Sequence, residues 1–380
     1  MIDLLRCALP AEPQPALADA VSRPFIRDAV VEGLAEARAH PRYAGPTLSR
    51  WFRRTRRLGS RDRRVVAEAV HGVLRHAGIL ARAGATTDAE RLAAWGRLVG
   101  GERFDVLSST TPEADYAAAL SLPEPIASEW LRRLGPADAA RLGAALAARA
   151  PTTIRANLRR GTRAQLSARL GAEGVETHPT ARAPHGLMLN GRANLVGTKA
   201  FRAGWFEVQD EASQLLCEAI GAAPGMAVMD LCAGAGGKSL ALAAAGATVY
   251  AHDIRSNALD ELRRRAKRAG VQIPVTGPRM ADVVLIDAPC SGTGRLRRDP
   301  AMRLGLPALD LDALWKTQRS LIAQGTELVE PGGRLIYATC SLLSAENDHD
   351  LPGWTLTEAV TLWPHEGGMD GFGWRIWKKD

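Results

Sequence analysis

Residues 225–253 read GMAVMDLCAGAGGKSLALAAAGATVYAHD, and the order of elements in that stretch decides the fold. GMAVMDLCA is an apolar run of strand length that ends in a glycine turn. SLALAAAG is the helix that follows, and ATVYAHD is a second strand. Downstream the alternation continues through the helix SNALDELRRRAKRAG and two further strands, ADVVLIDAPC and GRLIYATCS, each ending in a cysteine-bearing loop. Alternation of this kind predicts an α/β fold, with a parallel sheet and helices on both faces. WTLTEAVTLW and GFGWRIWKK predict a closing hairpin at one sheet edge.

Upstream the pattern differs. From about Pro24 to Ala150, apolar residues recur at three- and four-residue intervals in AVVEGLAEARAH, DRRVVAEAVHGVLRHAGIL, DAERLAAWGRLV and EPIASEWLRRLG. Pro and Gly punctuate them at PRYAGP, SLPEP and LGP, so a small helical bundle is expected. TIRANLRRGTRAQLSARLGAEGVETH reads as strand, helix and strand, a small α+β module. The expected division is a helical domain over 1–148, the module over 149–205 and the α/β domain over 206–380.

A chain of 380 residues has room for two or three domains, and 46% hydrophobic with 24% charged residues describes an ordinary globular protein. No apolar run is long enough to cross a bilayer, and MIDLLRCALPAEPQP, with Asp3 and no sustained apolar core, does not read as a signal peptide. A cytoplasmic monomer without a membrane partner is expected. The net charge of +8 is carried mostly by arginine and points to a polyanion, most simply nucleic acid. The five cysteines are dispersed, form no C-x-x-C pair and lack histidines at ligand spacing, so neither a metal site nor a disulfide framework is expected.

In an open α/β sheet, ligands sit beyond the carboxyl ends of the strands, and Asp230-Leu-Cys-Ala-Gly-Ala-Gly-Gly-Lys-Ser239 occupies such an end. Gly234, Gly236 and Gly237 let backbone approach a ligand, and the next helix offers free N–H groups. A phosphate-binding loop would fit Gly237-Lys238-Ser239 but requires glycine where Cys232 stands. A dinucleotide turn fits Gly234 and Gly236 but would end on Ser239. A nucleoside site of the methyltransferase kind needs the glycine turn, no pyrophosphate cradle, and an acid at the end of the second strand for ribose hydroxyls. Asp253 supplies that acid. A tight turn with no ligand is the remaining reading.

Cys290 follows one strand in Asp287-Ala-Pro-Cys-Ser-Gly-Thr-Gly294, and Cys340 follows another in Tyr337-Ala-Thr-Cys-Ser341. Parallel strands put both thiols at the edge that carries the glycine turn. Cytosine C5 is a poor nucleophile, and a thiolate adding to C6 activates it. A base must then remove the C5 proton so that the thiol can leave. One cysteine for attack and one for release fits that requirement, with Asp287 placed for the N3/N4 edge of the base. An isolated cysteine after a strand is usually packing, and Cys217 on EASQLLCEAI fits that description.

These residues carry a family likeness. VQDEASQL, DLCAGAGGKS, DAPCSGTG and PGGRLIYATCSLLSAEN together resemble the RsmB/Fmu (Sun) group of RNA cytosine-C5 methyltransferases, over roughly Phe25 to the C-terminus. The resemblance implies a class I (Rossmann-like) methyltransferase sheet behind an N-terminal all-α NusB-like RNA-binding domain, for which LGSRDRRVVAEAVHGVLR is the best match. It implies Cys340 as nucleophile and Cys290 as the cysteine that assists release. It implies S-adenosyl-L-methionine contacts from Cys232, Ala233, Gly234, Ala235, Gly236, Gly237, Lys238 and Asp253, with Asp287 touching cofactor and base. Small-subunit ribosomal RNA is the implied substrate. Three departures stand out. The turn reads CAGAGGK in place of CAAPGGK, the third cofactor segment VTGPRMADVVLID is short, leaving the adenine contact unassigned, and the end reads DGFGWRIWKKD.

SRWFRRTRRLGSRDRR places eight arginines around Trp51 and Phe52, a composition suited to RNA or to a solvated helix face. Arg53, Arg54 and Arg57 are candidates there, and Arg295, Arg297 and Arg298 follow the Cys290 loop directly. The same chemistry on transfer RNA, or a non-catalytic RNA-binding assembly or antitermination factor, remain as alternative functions.

Overall fold

The computed structural model describes residues 3–10, 12–103 and 111–379. The chain divides into two compact units, Met1–Arg149 with Arg295–Asp310, and Ala150–Gly294 with Leu311–Asp380.

In the second unit, β1 (Thr153–Ala156), β2 (Thr177–Pro179), β3 (Gly186–Leu189) and β4 (Phe206–Val208) form an antiparallel sheet in the order β2-β3-β1-β4. A six-stranded sheet follows from β5 (Ala227–Asp230), β6 (Thr248–Ala251), β7 (Ala281–Asp287), β8 (Val329–Thr339), β9 (Trp354–Leu362) and β10 (Phe372–Lys379). Its order is β6-β5-β7-β8-β10-β9. The first four strands are mutually parallel, and β10 runs antiparallel to β8 and β9 as the expected hairpin.

Both faces of the parallel part are buried, which is why VVLI is continuously apolar rather than alternating. On one face Val228, Leu285 and Ile336 pack with Leu216, Leu240 and Leu262 of the helices Glu211–Ile220, Gly237–Ala244 and Ser256–Ala269. On the other, Met229, Val284, Ile286 and Leu335 pack with Ile322 of the helix Leu311–Leu328. Beyond β6, parallel pairing shrinks to a single bridge between Ala251 and Val275. The short third segment therefore makes no full strand. Asp282 accepts a hydrogen bond from Ala227 N at 2.8 Å, at the start of β5 rather than at its carboxyl end.

The expected boundary at residue 205 falls just before β4. β4, beyond that boundary, pairs with β1 and completes the small sheet. The Asn157 amide donates to Gly204 O at 2.7 Å and Ala269 O at 2.8 Å. Buried Glu207 receives Arg265 and Arg268 from the helix Ser256–Ala269, at 3.0 and 2.6 Å. These contacts fasten the small sheet to the helix Ser256–Ala269, which packs on the six-stranded sheet.

The first unit is a helical bundle whose core includes Ile26, Leu34, Trp51, Val70, Leu74 and Trp95. Thr87 opens the helix Asp88–Val99 with a capping box to Glu90. Gly135 leaves helical geometry at the LGP punctuation. The segment Arg295–Asp310 belongs to this unit: Ala301 is fully buried in the bundle core, and Leu304 packs against it. The Arg303 guanidinium donates to Leu120 O at 2.9 Å and Leu296 O at 2.8 Å, and burial lowers its pKa to about 9.

Removing one partner of a buried ion pair leaves the others uncompensated. Glu207→Ala should destabilise the protein by about 3–5 kcal/mol, measured by urea denaturation.

Candidate active site

The register Asp230↔Leu285 and Asp287↔Ala338 brings the carboxyl ends of β5, β7 and β8 to one edge. The glycine turn leaves β5 there. Gly234 and Gly236 have φ of +53° and +81°, and a Cβ on Gly236 would meet Leu262 Cγ at 2.7 Å. Only glycine suits both the conformation and the space. Ala233 N donates to His252 O at 2.9 Å and Gly234 N to Asp253 Oδ2 at 2.8 Å, fastening the turn to the end of β6.

Asp253 also accepts from Arg255 N and Nε, both at 2.9 Å, and from Arg255 Nη2 at 3.0 Å. Burial alone would raise its pKa, but these bonds outweigh it and hold the carboxylate below its ordinary value. Asp230 is the opposite case. Burial raises its pKa to about 7, although Ser239 Oγ donates to it at 2.6 Å. Lys238 reaches across to Asp287 at 2.5 Å and lies 5.1 Å from the Phe372 ring centre. Burial works against the ammonium, and the Asp287 charge outweighs it. Gln209 bridges the small sheet to the turn, accepting from Arg155 Nε at 2.6 Å and donating to Gly237 O at 3.4 Å.

The two cysteine loops leave β7 and β8 side by side. Cys290 Sγ and Cys340 Sγ are 3.4 Å apart. Gly294 N donates to Cys340 O at 2.9 Å, and Gly371 N to Gly294 O at 2.9 Å. That backbone approach is close enough that a Cβ on Gly294 would meet Gly371 O at 2.0 Å. The Cys290 thiol is held well above its ordinary pKa, first by its hydrogen bond to Cys340 and then by burial. Cys7 and Cys232 are pushed to about 12 and Cys217 to about 11, chiefly by burial. Those three stay protonated and suit packing, whereas Cys290 and Cys340 share a site.

The expected RNA contacts fare unevenly. Arg297 is buried at 4% exposure, and its carbonyl accepts from Arg75 Nη2 at 3.5 Å. Its segment folds into the helical unit, so a surface contact with RNA is withdrawn for it. Arg295 is exposed and Arg298 half-buried. Arg54 and Arg57 are exposed but paired with Glu36 and Glu32, and Arg53 is exposed. Trp51 is buried in the bundle core and is no stacking platform. Sequence reasoning did not single out Gln209, Arg255 or Glu346. Gln209 and Glu346 lay inside the quoted VQDEASQL and SLLSAEN stretches, and only their burial and partners distinguish them.

A glycine turn with an acid just past the end of the next strand, at the carboxyl edge of an open α/β sheet, is the arrangement of a nucleoside-binding site. Residues 219–354 match the family model described as 16S rRNA methyltransferase RsmB/F, and residues 122–195 match the RsmF/B-like ferredoxin-like domain. The ribosomal RNA small subunit methyltransferase B of Xylella fastidiosa (strain Temecula1) is 32% identical over 355 residues, 86% of this chain and 80% of that one. The protein of the same name in Pseudomonas putida is 32% identical over 254 residues, 58% of each chain. Several further relatives of that name align over about half of their own length. A crystal structure of a methyltransferase homolog protein from Pyrococcus horikoshii has a TM-score of 0.63 at 24% identity, covering 72% of this chain and 100% of that one. The chain belongs to the RsmB/F family of small-subunit ribosomal RNA methyltransferases.

A carboxyl whose pKa is raised on folding favours the folded state below its unfolded pKa, and that advantage is lost as pH rises through the folded pKa. Between about pH 4 and 7, wild-type stability should therefore fall relative to Asp230→Asn, read from parallel denaturation curves.

Proposed function

We propose that the chain methylates carbon 5 of a cytosine in small-subunit ribosomal RNA, with S-adenosylmethionine as donor, Cys340 as nucleophile and Cys290 as the group that permits release. The observation that carries this reading is the 3.4 Å approach of the two sulfurs at the edge bearing the glycine turn. When bound, the donor supplies a methyl group on a positively charged sulfur. Residues Cys232 to Lys238 and Asp253 would hold it. The open face beside Gly234, where a Cβ would meet nothing nearer than Arg255 Nη2 at 3.4 Å, and the Asp253 carboxylate both fit a nucleoside.

Addition of the Cys340 thiolate to C6 turns C5 into a nucleophile. Asp287, oriented by Lys238, meets the N3/N4 edge where charge develops. Before attack Cys290 holds its proton, its pKa raised by the hydrogen bond to Cys340 and by burial. Once Cys340 is bonded to C6, that neighbour no longer carries charge, and Cys290 can release its proton to solvent. Cys290 then takes the proton from methylated C5, the C–H electrons restore the C5–C6 double bond, and Cys340 leaves as thiolate. One proton reaches solvent per methyl transferred, and the pair returns to its starting state. The target base must be unpaired or flipped to admit the thiol. Arg53, Arg295 and Arg298 are proposed phosphate contacts, with Arg54 and Arg57 exchanging their carboxylate partners for phosphate. Action in the cytoplasm, where ribosomal RNA is assembled, accords with this reading.

Cys340→Ser should abolish methyl transfer and leave no covalent RNA, whereas Cys290→Ala should accumulate a protein–RNA adduct that survives denaturant. Near-normal turnover by Cys340→Ser would overturn the assignment. S-adenosylhomocysteine should raise the melting temperature and ATP should not, because a ligand bound only by the native state stabilises it. A shift with ATP alone would instead favour a nucleotide-binding turn.

A further inference from the structure

Glu346 lies six residues after Cys340, on the short helix Ser344–Asn347, and is 1% exposed. Its carboxylate accepts from Ser291 N at 2.8 Å and Ser291 Oγ at 2.5 Å, directly beside Cys290. The Gln318 amide donates to it at 3.0 Å and to Pro289 O, the residue before Cys290, at 3.0 Å. Tyr337 Oη, from β8, donates to Glu346 O at 2.8 Å. The next residue, Asn347, ties back to the Cys340 loop, donating to Ser341 O at 2.9 Å and accepting from Thr339 Oγ1 at 2.6 Å. Ser291 and Thr293 hydroxyls meet Ser341 Oγ at 3.1 and 3.3 Å. Glu346 is thus the centre of a buried polar network joining both cysteine loops, and the side-chain and backbone donors named to its carboxylate are uncharged.

Burying a carboxylate without a cation is costly, and simple packing does not require it. A neutral amide could have joined the same loops. We propose that Glu346 is a positioning residue for the cysteine pair, clamping the Cys290 loop beside Cys340 and using its negative charge to fix the proton on Cys290. This rests on the cysteine chemistry proposed above. Glu346 also adds to the forces holding the Cys290 thiol protonated, after Cys340 itself and burial. From the sheet side, Asp287 is engaged by Lys238 and does not take this place. Because Glu346 keeps its charge after Cys340 is captured by C6, it also keeps Cys290 basic enough to take the C5 proton.

Glu346→Gln tests the charge apart from the scaffold. The amide oxygen can accept from Ser291 N and Gln318, and its NH2 can donate to Ser291 Oγ once that hydroxyl turns toward Ser341. Iodoacetamide reacts with thiolates, so peptide mapping after mild labelling reads which sulfur is ionised. With the wild-type melting temperature retained, the preference for Cys340 over Cys290 should fall several-fold in Glu346→Gln. Turnover should drop roughly tenfold, less than the hundredfold or more that a positioned base contributes, and covalent RNA should accumulate. An unchanged labelling ratio in a folded Glu346→Gln protein would overturn the proposal. Should that variant unfold, Ser291→Ala removes the 2.5 Å bond that clamps the Cys290 loop, and wild-type turnover with no accumulated covalent RNA there would overturn the positioning role. Labelling needs neither RNA nor methyl donor. Failure of the wild type to methylate any RNA would therefore sink the proposed function without altering this result.

Discussion

Parallel pairing of β7 with β5 on one side and β8 on the other is the constraint on which the site depends. It places three carboxyl ends at one edge, and each delivers part of the chemistry: the glycine turn after Asp230, Asp287 with the Cys290 loop, and the Cys340 loop. Parallel strands need helices on both faces, and those helices bury Val228, Leu285 and Ile336 on one side and Met229, Val284 and Leu335 on the other. The loops at the edge are therefore anchored at both ends in a dry core. Gly294 against Gly371 shows how tightly: the backbones approach until no side chain fits between them.

That rigidity lets the site keep buried polar groups that would be costly elsewhere. Asp230, Lys238 and Glu346 are buried, and each has a named hydrogen-bond partner. Networks of this kind favour one arrangement of the loops. The same burial that silences Cys7, Cys217 and Cys232 acts on Cys290 as well. What sets Cys290 apart is a second sulfur at 3.4 Å.

The arginine excess has more than one use. Arg303 is a buried structural donor to carbonyls, Arg265 and Arg268 clamp Glu207, and Arg54 and Arg57 pair with acids on the bundle surface. A net charge of +8 counts all of them alike. Composition points to a polyanionic partner, but it overstates the number of arginines available to one.

Period and punctuation were enough to read the α/β alternation, the helical region, the C-terminal hairpin and the two cysteine loops, because each rests on local spacing and turn chemistry. The pairing of DAPCSGTG with ATCS carries the family likeness. Tertiary structure alone decided which side chains are withdrawn from solvent. It buried Arg297 with the segment that joins the bundle, carried β4 across the expected boundary to pair with β1, and gathered Ser291, Gln318 and Glu346 from three separate elements. None of these could be read from spacing, since each depends on contacts between residues distant in the chain. The sequence alone established that Cys290 and Cys340 belong to one edge. The fold decided that they touch, and which carboxylate stands behind them.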